Sequence, residues 1–151
     1  MAAAGAAAGA GTKDNDIINN IVACPAGRVQ RGMISLEPDR WRDHAGSRIQ
    51  RNILYTVGPD QNFMWRDVIA QGNPPAICRI EADRNIYFNA SDPKAGDDYL
   101  AWARRHGREV NSIRADPLFE NAAAGNFRLK PDSPALKLGI QPIMLQAGIR
   151  R

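Results

Sequence analysis

The sequence lacks most of the features that identify a metal site, a membrane protein or an exported precursor. Its 151 residues include only two cysteines, Cys24 and Cys78, and no C-x-x-C pair, so no zinc or dithiol redox motif is present. Whether these two cysteines pair is left open. No apolar run approaches the ~18 residues that a membrane-spanning helix needs, so we expect no membrane span. Residues 1–12 are almost entirely Ala and Gly, a low-complexity composition that predicts a disordered leader or a linker. They lack the basic and Leu/Val-rich regions of a signal peptide.

Charge of one sign is not concentrated anywhere in the chain. Charged residues make up 24% of the sequence, hydrophobic residues 44%, and the net charge is +4, a composition typical of one globular domain. Most Arg residues have Asp or Glu nearby. A nucleic-acid surface would need Lys and Arg gathered on one element and interleaved with aromatics, so we expect no nucleic-acid partner. A mildly basic chain would suit an acidic polysaccharide.

One short signature, however, occurs three times. The segments "DIINNIVAC", "RIQRNILYT" and "DRNIYFNAS" align on Asn20, Asn52 and Asn85, which are 32 and 33 residues apart, and each Asn is followed by Ile. A fixed period of this length indicates a repeat architecture. The residues around each Asn are β-branched or aromatic and are bounded by Gly, Pro and Asp, which favours short strands over helices.

Each repeat therefore predicts a strand, a bend at Asn, a second strand and a long loop. Asn tolerates the left-handed backbone conformation of a tight bend, and its amide can pair with the amide of the next repeat to form a ladder. The residues three places earlier, Ile17, Ile49 and Ala82, would stack inside as an apolar core. The alternative is three unrelated strands of a sandwich whose Asn residues align by coincidence.

The segment 111–143, "NSIRADPLFENAAAGNFRLKPDSPALKLGIQPI", resembles the closing segment of right-handed parallel β-helix repeat proteins, the pectin-lyase-like superfamily. The matching residues are Asp116, Pro117, Leu118, Phe119, Gly125, Asn126, Phe127, Arg128, Leu129, Ser133, Pro134 and Ala135. The resemblance covers residues 13 to about 150. It implies an all-β fold, a right-handed parallel β-helix (solenoid) of about three to four coils with a short helical C-terminal cap.

This fold divides the chain into the leader 1–12, the coils 13–98, and a C-terminal coil with its cap in 99–151. Within the last part, "YLAWARRHG" predicts a short amphipathic helix. "DSPALKLG" predicts a second helix, with Ser before it, Pro at its start and Gly at its end. Nothing comparable precedes the first coil. We therefore expect the C-terminal part of a longer β-helix, and self-association through the uncapped N-terminal coil.

The resemblance also implies carbohydrate chemistry, since the family includes glycoside hydrolases and polysaccharide lyases. Glu37 and Asp60 are the candidate catalytic carboxylates, because a hydrolase needs two such groups about 5–10 Å apart. Arg31, Trp41 and Trp65 are the candidate substrate-binding residues, with Trp41 as a platform for a sugar ring and Trp65 near the corresponding edge of the next coil. The alternative for these positions is a set of solvated loops with ordinary ion pairs.

The predicted function is thus the C-terminal part of a carbohydrate-active β-helix protein, a glycoside hydrolase acting on polysaccharide. The alternative is a non-catalytic module that binds glycans or another protein, and whether the chain is an enzyme is left open. No cofactor or metal-ligand set is predicted. Calcium is an alternative ligand at Asp92, Asp97 and Asp98, where Asx turns are the simpler interpretation. Family members are often exported, but no signal peptide is readable, so the compartment is open.

Overall fold

A computed structural model of the chain describes residues 14–24, 33–34, 45–58, 63 and 79–142. The elements in these ranges are short. The strands are β1 (Asp16–Ile18), β2 (Ile21–Cys24), β3 (Arg48–Gln50), β4 (Ile53–Thr56), β5 (Glu81–Asp83), β6 (Ile86–Asn89), β7 (Phe119–Asn121) and β8 (Asn126–Leu129). The helices are α1 (Asp97–Arg105) and α2 (Pro134–Lys137).

The three signature segments pair with one another in parallel register. Strands β1, β3 and β5 form a first sheet, and β2, β4 and β6 form a second. Ile17 lies opposite Ile49, which lies opposite Ala82, as the alignment on Asn predicts. The sequence period therefore sets the strand register, because a slip of one residue would turn each apolar side chain to the other face.

The predicted asparagine ladder is confirmed. Nδ2 of Asn20 donates to Oδ1 of Asn52 at 3.2 Å, and Nδ2 of Asn52 donates to Oδ1 of Asn85 at 3.1 Å. The backbone N–H groups of Asn20 and Asn52 donate to the same two oxygens, each at 2.9 Å. Asn52 and Asn85 are fully buried, so these bonds satisfy polar groups that water cannot reach.

The left-handed residue of each bend is not the asparagine of the ladder, and that part of the prediction is wrong. It is the preceding residue: Asn19, Arg51 and Arg84 have φ angles of 58°, 54° and 59°. The left-handed residue turns the chain one position early, which leaves the following Asn with its amide turned into the ladder. Such a φ costs an L-residue roughly 1–2 kcal/mol, and the buried amide bonds offset that cost.

Two apolar clusters occupy opposite faces of the second sheet. The first contains Ile34, Ile49, Leu54, Phe63, Ile80, Ala82, Tyr87, Tyr99, Leu100 and Ala103. The second contains Ile53, Tyr55, Ile86, Phe119, Ala135 and Ile140. Neighbouring residues of a strand point to opposite faces, so Ile53 enters one cluster and Leu54 the other. Burial on both faces explains why β4 reads as a continuous apolar run.

The prediction of an all-β, continuous right-handed parallel β-helix is wrong. The described strands, three or four residues long, form separate small sheets, two parallel and one antiparallel. The antiparallel sheet is the β7–β8 hairpin, and a nine-residue helix, α1, adds α structure. The physical reason lies in the C-terminal segment. It continues the parallel pairing only through the isolated bridge between Ile113 and Ile86, and then packs onto one face of the second sheet, with Ile140 in the second cluster.

The ends of the short helices follow the predicted signals. Ser133 precedes α2, and its hydroxyl accepts from the N–H of Ala135 at 3.2 Å and donates to the carbonyl of Pro117 at 2.6 Å. Pro134 stands at the start of the helix and Gly139, with φ of 77°, follows it. Helix α1 starts two residues before the predicted Tyr99.

Among the residues that the structure describes, no helix has the length and apolar character that crossing a membrane requires.

Candidate functional site

The five predicted site residues lie outside the part of the chain that the structure describes. These are the candidate catalytic pair Glu37 and Asp60 and the candidate substrate-binding residues Arg31, Trp41 and Trp65. Their roles therefore stay predictions. Cys78 also lies outside the described residues, so its pairing with Cys24 is still open.

Two of the aspartates considered for calcium, Asp92 before α1 and Asp97 at its start, have local roles. Oδ1 of Asp92 accepts from the backbone N–H of Lys94 at 2.9 Å, which is the predicted Asx turn. Asp97 forms an ion pair with Arg114, with the Nε of Arg114 2.5 Å from Oδ1. Within the described ranges, no group of three or more His, Cys, Asp or Glu side chains is placed to hold a metal ion.

The exposed face of the first sheet brings together polar side chains from all three repeats. Strand β5 reads Glu81, Ala82, Asp83: Ala82 is buried in the first cluster, so its two neighbours point outward. Arg48 and Gln50 hold the equivalent positions on β3, and Asp16 does so on β1. We call these five side chains the polar face.

One row of the polar face is a chain of alternating charges. Asp16, Arg48 and Glu81 lie side by side on adjacent strands. Nε of Arg48 donates to Oδ1 of Asp16 at 2.7 Å, and its Nη2 lies 2.5 Å from Oδ2. This hydrogen bond holds the pKa of Asp16 below its ordinary value, and Asp16 in turn raises the pKa of Arg48.

The second row is anchored by the segment after α1. Gln50 lies opposite Asp83 and donates from Nε2 to Oε2 of Glu81 at 3.4 Å. Both carboxylate oxygens of Asp83 are occupied by Asn111, which donates its backbone N–H to Oδ1 and its side-chain Nδ2 to Oδ2, each at 2.7 Å. These bonds fix the orientation of Asp83 but leave Glu81 and Gln50 available to solvent.

The spacing on β5 allows two kinds of chemistry. Residues two apart on a strand point to the same side with their Cα atoms about 6.6 Å apart, so Glu81 and Asp83 present two carboxylates on one face, the type of pair that glycosidases use. However, each oxygen of the Asp83 carboxylate already accepts a hydrogen bond from Asn111. An oriented, solvent-facing row of donors and acceptors is better suited to holding a polar ligand than to transferring its protons.

A second polar cluster, around Glu109, is buried. Glu109 is 0% exposed, and its carboxylate accepts from Tyr87 Oη at 2.7 Å, Tyr99 Oη at 3.0 Å, Asn85 Nδ2 at 3.0 Å and Ser112 Oγ. Asn85 is the last amide of the ladder, so Glu109 terminates it. Glu109 thereby links the last repeat to α1, which carries Tyr99.

Burial dominates the electrostatics of this cluster. It raises the pKa of Glu109, against the hydrogen bonds from Ser112, Tyr87, Asn85 and Tyr99 that favour the carboxylate. Burial, followed by the nearby carboxylate, also raises the pKa of both tyrosine hydroxyls well above the ordinary value, so both remain donors. Since Glu109 is enclosed, it cannot touch a substrate in this conformation, and its role is to hold the last repeat in place.

These acidic residues were missed in the sequence for different reasons. Ala82 aligns with Ile17 and Ile49, so the alternation in "EAD" already placed Glu81 and Asp83 on the opposite, outer face. This alternation was sufficient to predict that Glu81 and Asp83 lie on the outer face. Glu109 stands in "GREVNS", where nothing local distinguishes it from a solvated glutamate, because apart from Ser112 its partners come from the last corner, β6 and α1.

Comparisons with known proteins add one relative. The "Uncharacterized protein YwoF" of Bacillus subtilis (strain 168) is 29% identical over 102 residues, which cover 62% of this chain and 20% of that protein. The match thus spans about a fifth of the relative's length. No family model matches the chain, and no solved structure matches it. The resemblance to pectin-lyase-like proteins therefore stays a prediction.

Proposed function

We propose that this chain binds a polysaccharide on the polar face of its first sheet, as a non-catalytic carbohydrate-binding surface. The observation that carries the proposal is the register of the face: Arg48, Gln50, Glu81 and Asp83 stand in two rows across neighbouring strands. Adjacent strands are about 4.8 Å apart, which is close to the advance of one sugar in an extended glycan. Successive sugars would then meet donors and acceptors in alternation along the two rows.

The charge of this face narrows the type of glycan. It carries three carboxylates, Asp16, Glu81 and Asp83, against one guanidinium, Arg48. Although the whole chain is mildly basic, this surface would repel the carboxylates of a uronate polymer. Neutral or amino sugars fit better, because carboxylate and amide oxygens accept hydrogen bonds from hydroxyl and ammonium groups.

Affinity electrophoresis of the full chain through gels containing dissolved polysaccharides tests the proposal. We expect retardation by a neutral or amino-sugar polymer and none by polygalacturonate. The double variant Gln50→Ala, Glu81→Ala should lose the retardation, whereas Asp132→Ala, at an exposed position before α2, should keep it. Equal retardation of both variants would contradict the assignment to this face, and no retardation by any polymer would contradict carbohydrate binding.

A glycoside hydrolase is the second candidate, and the outward pair on β5 favours it. Glu81 would be the proton donor, since Asp83 is held by Asn111. Release of reducing sugar from the retarding polymer measures this activity. Loss of release in Glu81→Gln would support catalysis at the polar face. Loss only in Glu37→Gln or Asp60→Asn would instead support the pair predicted from the sequence.

A further inference from the structure

The three repeats stack as three levels, and the segment after α1 adds a fourth level beside β5 and β6. The backbone N–H of Glu109 donates to the carbonyl of Ala82 at 2.7 Å, and the N–H of Ile113 donates to the carbonyl of Asn85 at 2.9 Å. Ile113 also forms the parallel bridge with Ile86. Because β3 and β4 occupy the opposite edges of β5 and β6, this segment continues the stack in the direction in which the repeats follow one another.

Asn111 brings this fourth level up to the polar face. Its backbone N–H and its Nδ2 donate to the two carboxylate oxygens of Asp83. On the other side of Asp83, on β3, lies Gln50. The second row of the polar face therefore continues from Gln50 through Asp83 to Asn111, as an amide, a carboxylate and an amide. Asn111 is exposed, so a ligand lying along this row can reach it.

The two amides of this row keep hydrogen-bonding capacity that their neighbours do not use. A side-chain amide has two N–H donors and one carbonyl oxygen that accepts. Within the described part of the chain, Nδ2 of Asn111 donates only to Asp83, and its Oδ1 accepts no bond. Gln50 likewise donates from Nε2 to Glu81 at 3.4 Å. Asn111 can therefore accept from one group of a ligand and donate to the group beside it.

The turn 109–112 holds Asn111 in place before any ligand binds. The backbone N–H of Ser112 donates to the carbonyl of Glu109 at 3.2 Å, and Nη2 of Arg104 donates to the carbonyl of Ser112 at 2.7 Å. On the inner side, the buried carboxylate of Glu109 accepts from Ser112 Oγ. Because the turn is tied to the core and to α1, little ordering of Asn111 is needed on binding.

From this geometry, and resting on the proposed polysaccharide-binding function, we infer that Asn111 is a further subsite of the polar face, which takes a neutral sugar through two adjacent hydroxyl groups. One hydroxyl donates to Oδ1, and the oxygen of the other accepts from Nδ2. An ammonium group offers donors and no acceptor, so an amino sugar cannot satisfy both atoms. The polar face thus adds one sugar position beyond those at β1, β3 and β5.

The test is a length series of oligosaccharides, cut from the neutral polymer that retards the full chain and used to compete with that polymer in the gel. Affinity should rise about fivefold for each sugar that reaches a new level, at least as far as one sugar for each of the four levels, and then stop rising. Asn111→Ala should reach this plateau one sugar earlier. Shorter oligomers should lose no more than about twofold in affinity, because they still occupy the other levels.

The length dependence separates a subsite from a positioning role, since Asn111 also orients Asp83. An equal loss for oligomers of every length in Asn111→Ala would mean that Asn111 acts only through Asp83, and would overturn the inference. Val110→Ala is the matched control, because Val110 is the preceding residue and is 62% exposed; its plateau should stay at the wild-type length. A shifted plateau in this control would show a disturbed turn and would also reject the subsite.

Two other results would overturn the inference while leaving polysaccharide binding intact: an unchanged plateau in Asn111→Ala, or retardation by an amino-sugar polymer and by no neutral polymer. Circular dichroism of both variants checks that they fold as the wild type does. No retardation by any polymer would contradict the proposed function itself, and this inference with it.

Discussion

At the scale of single residues, the buried asparagines stabilise the fold by linking the repeats through hydrogen bonds. The side chain of Asn52 makes bonds in three directions: it accepts from Asn20, and it donates to Asn85 at 3.1 Å and to the carbonyl of Ile17 at 2.8 Å. An apolar residue of the same size would remove all three bonds, so that the carbonyl of Ile17 would lose this donor and the buried Oδ1 of Asn85 would keep the backbone N–H of residue 52 but lose the amide. Unpaired buried polar groups cost more than the bonds themselves contribute.

Replacing Asn52 by Ala should therefore lower the free energy of unfolding by about 2–4 kcal/mol, measured by urea denaturation. Asn20→Ala is the matched control at the exposed end of the ladder, and we expect a loss of about 1 kcal/mol or less, because water replaces the missing bonds. Equal losses for the two variants would show that the ladder does not contribute through burial.

Glu109 gives the protein a specific pH dependence. Burial raises the pKa of Glu109 in the folded state, so the folded protein binds this proton more tightly than the unfolded chain does. Its stabilising effect is complete below the ordinary glutamate pKa of about 4.3 and is lost as pH rises through the folded-state value. The free energy of unfolding should fall over this interval, measured by urea denaturation at a series of pH values.

Glu109→Gln should remove that fall, because the amide keeps the size of the side chain and does not titrate. Glu120→Gln is the control, since Glu120 is exposed and accepts from Asn126 at 2.9 Å at the surface, and its profile should match the wild type. A Glu109→Gln profile parallel to the wild type would mean that the buried carboxylate does not control stability in this range.

At the scale of elements, each corner is strained at one residue and stabilised at the next. Arg51 and Arg84 adopt the left-handed conformation although Arg has no side-chain group that favours it, unlike Asn. The ladder and the parallel strands on either side hold them there. Glycine adopts this conformation without the steric cost.

Arg84→Gly should accordingly raise the free energy of unfolding by about 0.5–1 kcal/mol. Arg105→Gly is the matched control, because Arg105 is also exposed but lies at the end of α1, where glycine should cost up to about 1 kcal/mol. Thermal unfolding monitored by circular dichroism measures the change in stability of each variant, which we expect to be positive for Arg84→Gly and negative for Arg105→Gly. Destabilisation by both substitutions would show that the backbone at Arg84 is not strained.

At the scale of the whole molecule, the C-terminal segment covers the outer face of the second sheet. Phe119, Ala135 and Ile140 complete the cluster around Ile53 and Ile86. Gln141 then meets the first repeat, donating its backbone N–H to Oδ1 of Asn19 at 2.6 Å. The last described residues therefore stabilise the first corner directly.

Ile140→Ala should cost about 2–4 kcal/mol, because Ile140 is 2% exposed and its loss leaves a cavity against the second sheet. Leu136→Ala, in the same segment but 37% exposed, should change stability by less than about 1 kcal/mol. Urea denaturation measures both. Similar small effects would indicate that this segment is not docked on the sheet in solution.

Much of the local structure could be predicted from the sequence, and little of the site. The positions of the strands, their parallel register and the ladder followed from a period that three Asn residues make visible. The capping of α2 followed from Ser133, Pro134 and Gly139, since capping depends only on neighbouring residues. The direction of the C-terminal segment did not follow, because a closing segment can pack over the end or over the side of a sheet with the same apolar residues.

The sequence by itself therefore determined which residues form strands, which side chains point inward and where the corners repeat, since these depend on the spacing of apolar and bend-forming residues along the chain. Only the tertiary structure decided that Glu109 is buried beneath the last asparagine, that the polar face assembles from three repeats, and that the C-terminal segment lies against the second sheet. Each of these joins residues from different elements, and the free energy that selects such contacts depends on burial, which one stretch of sequence does not record.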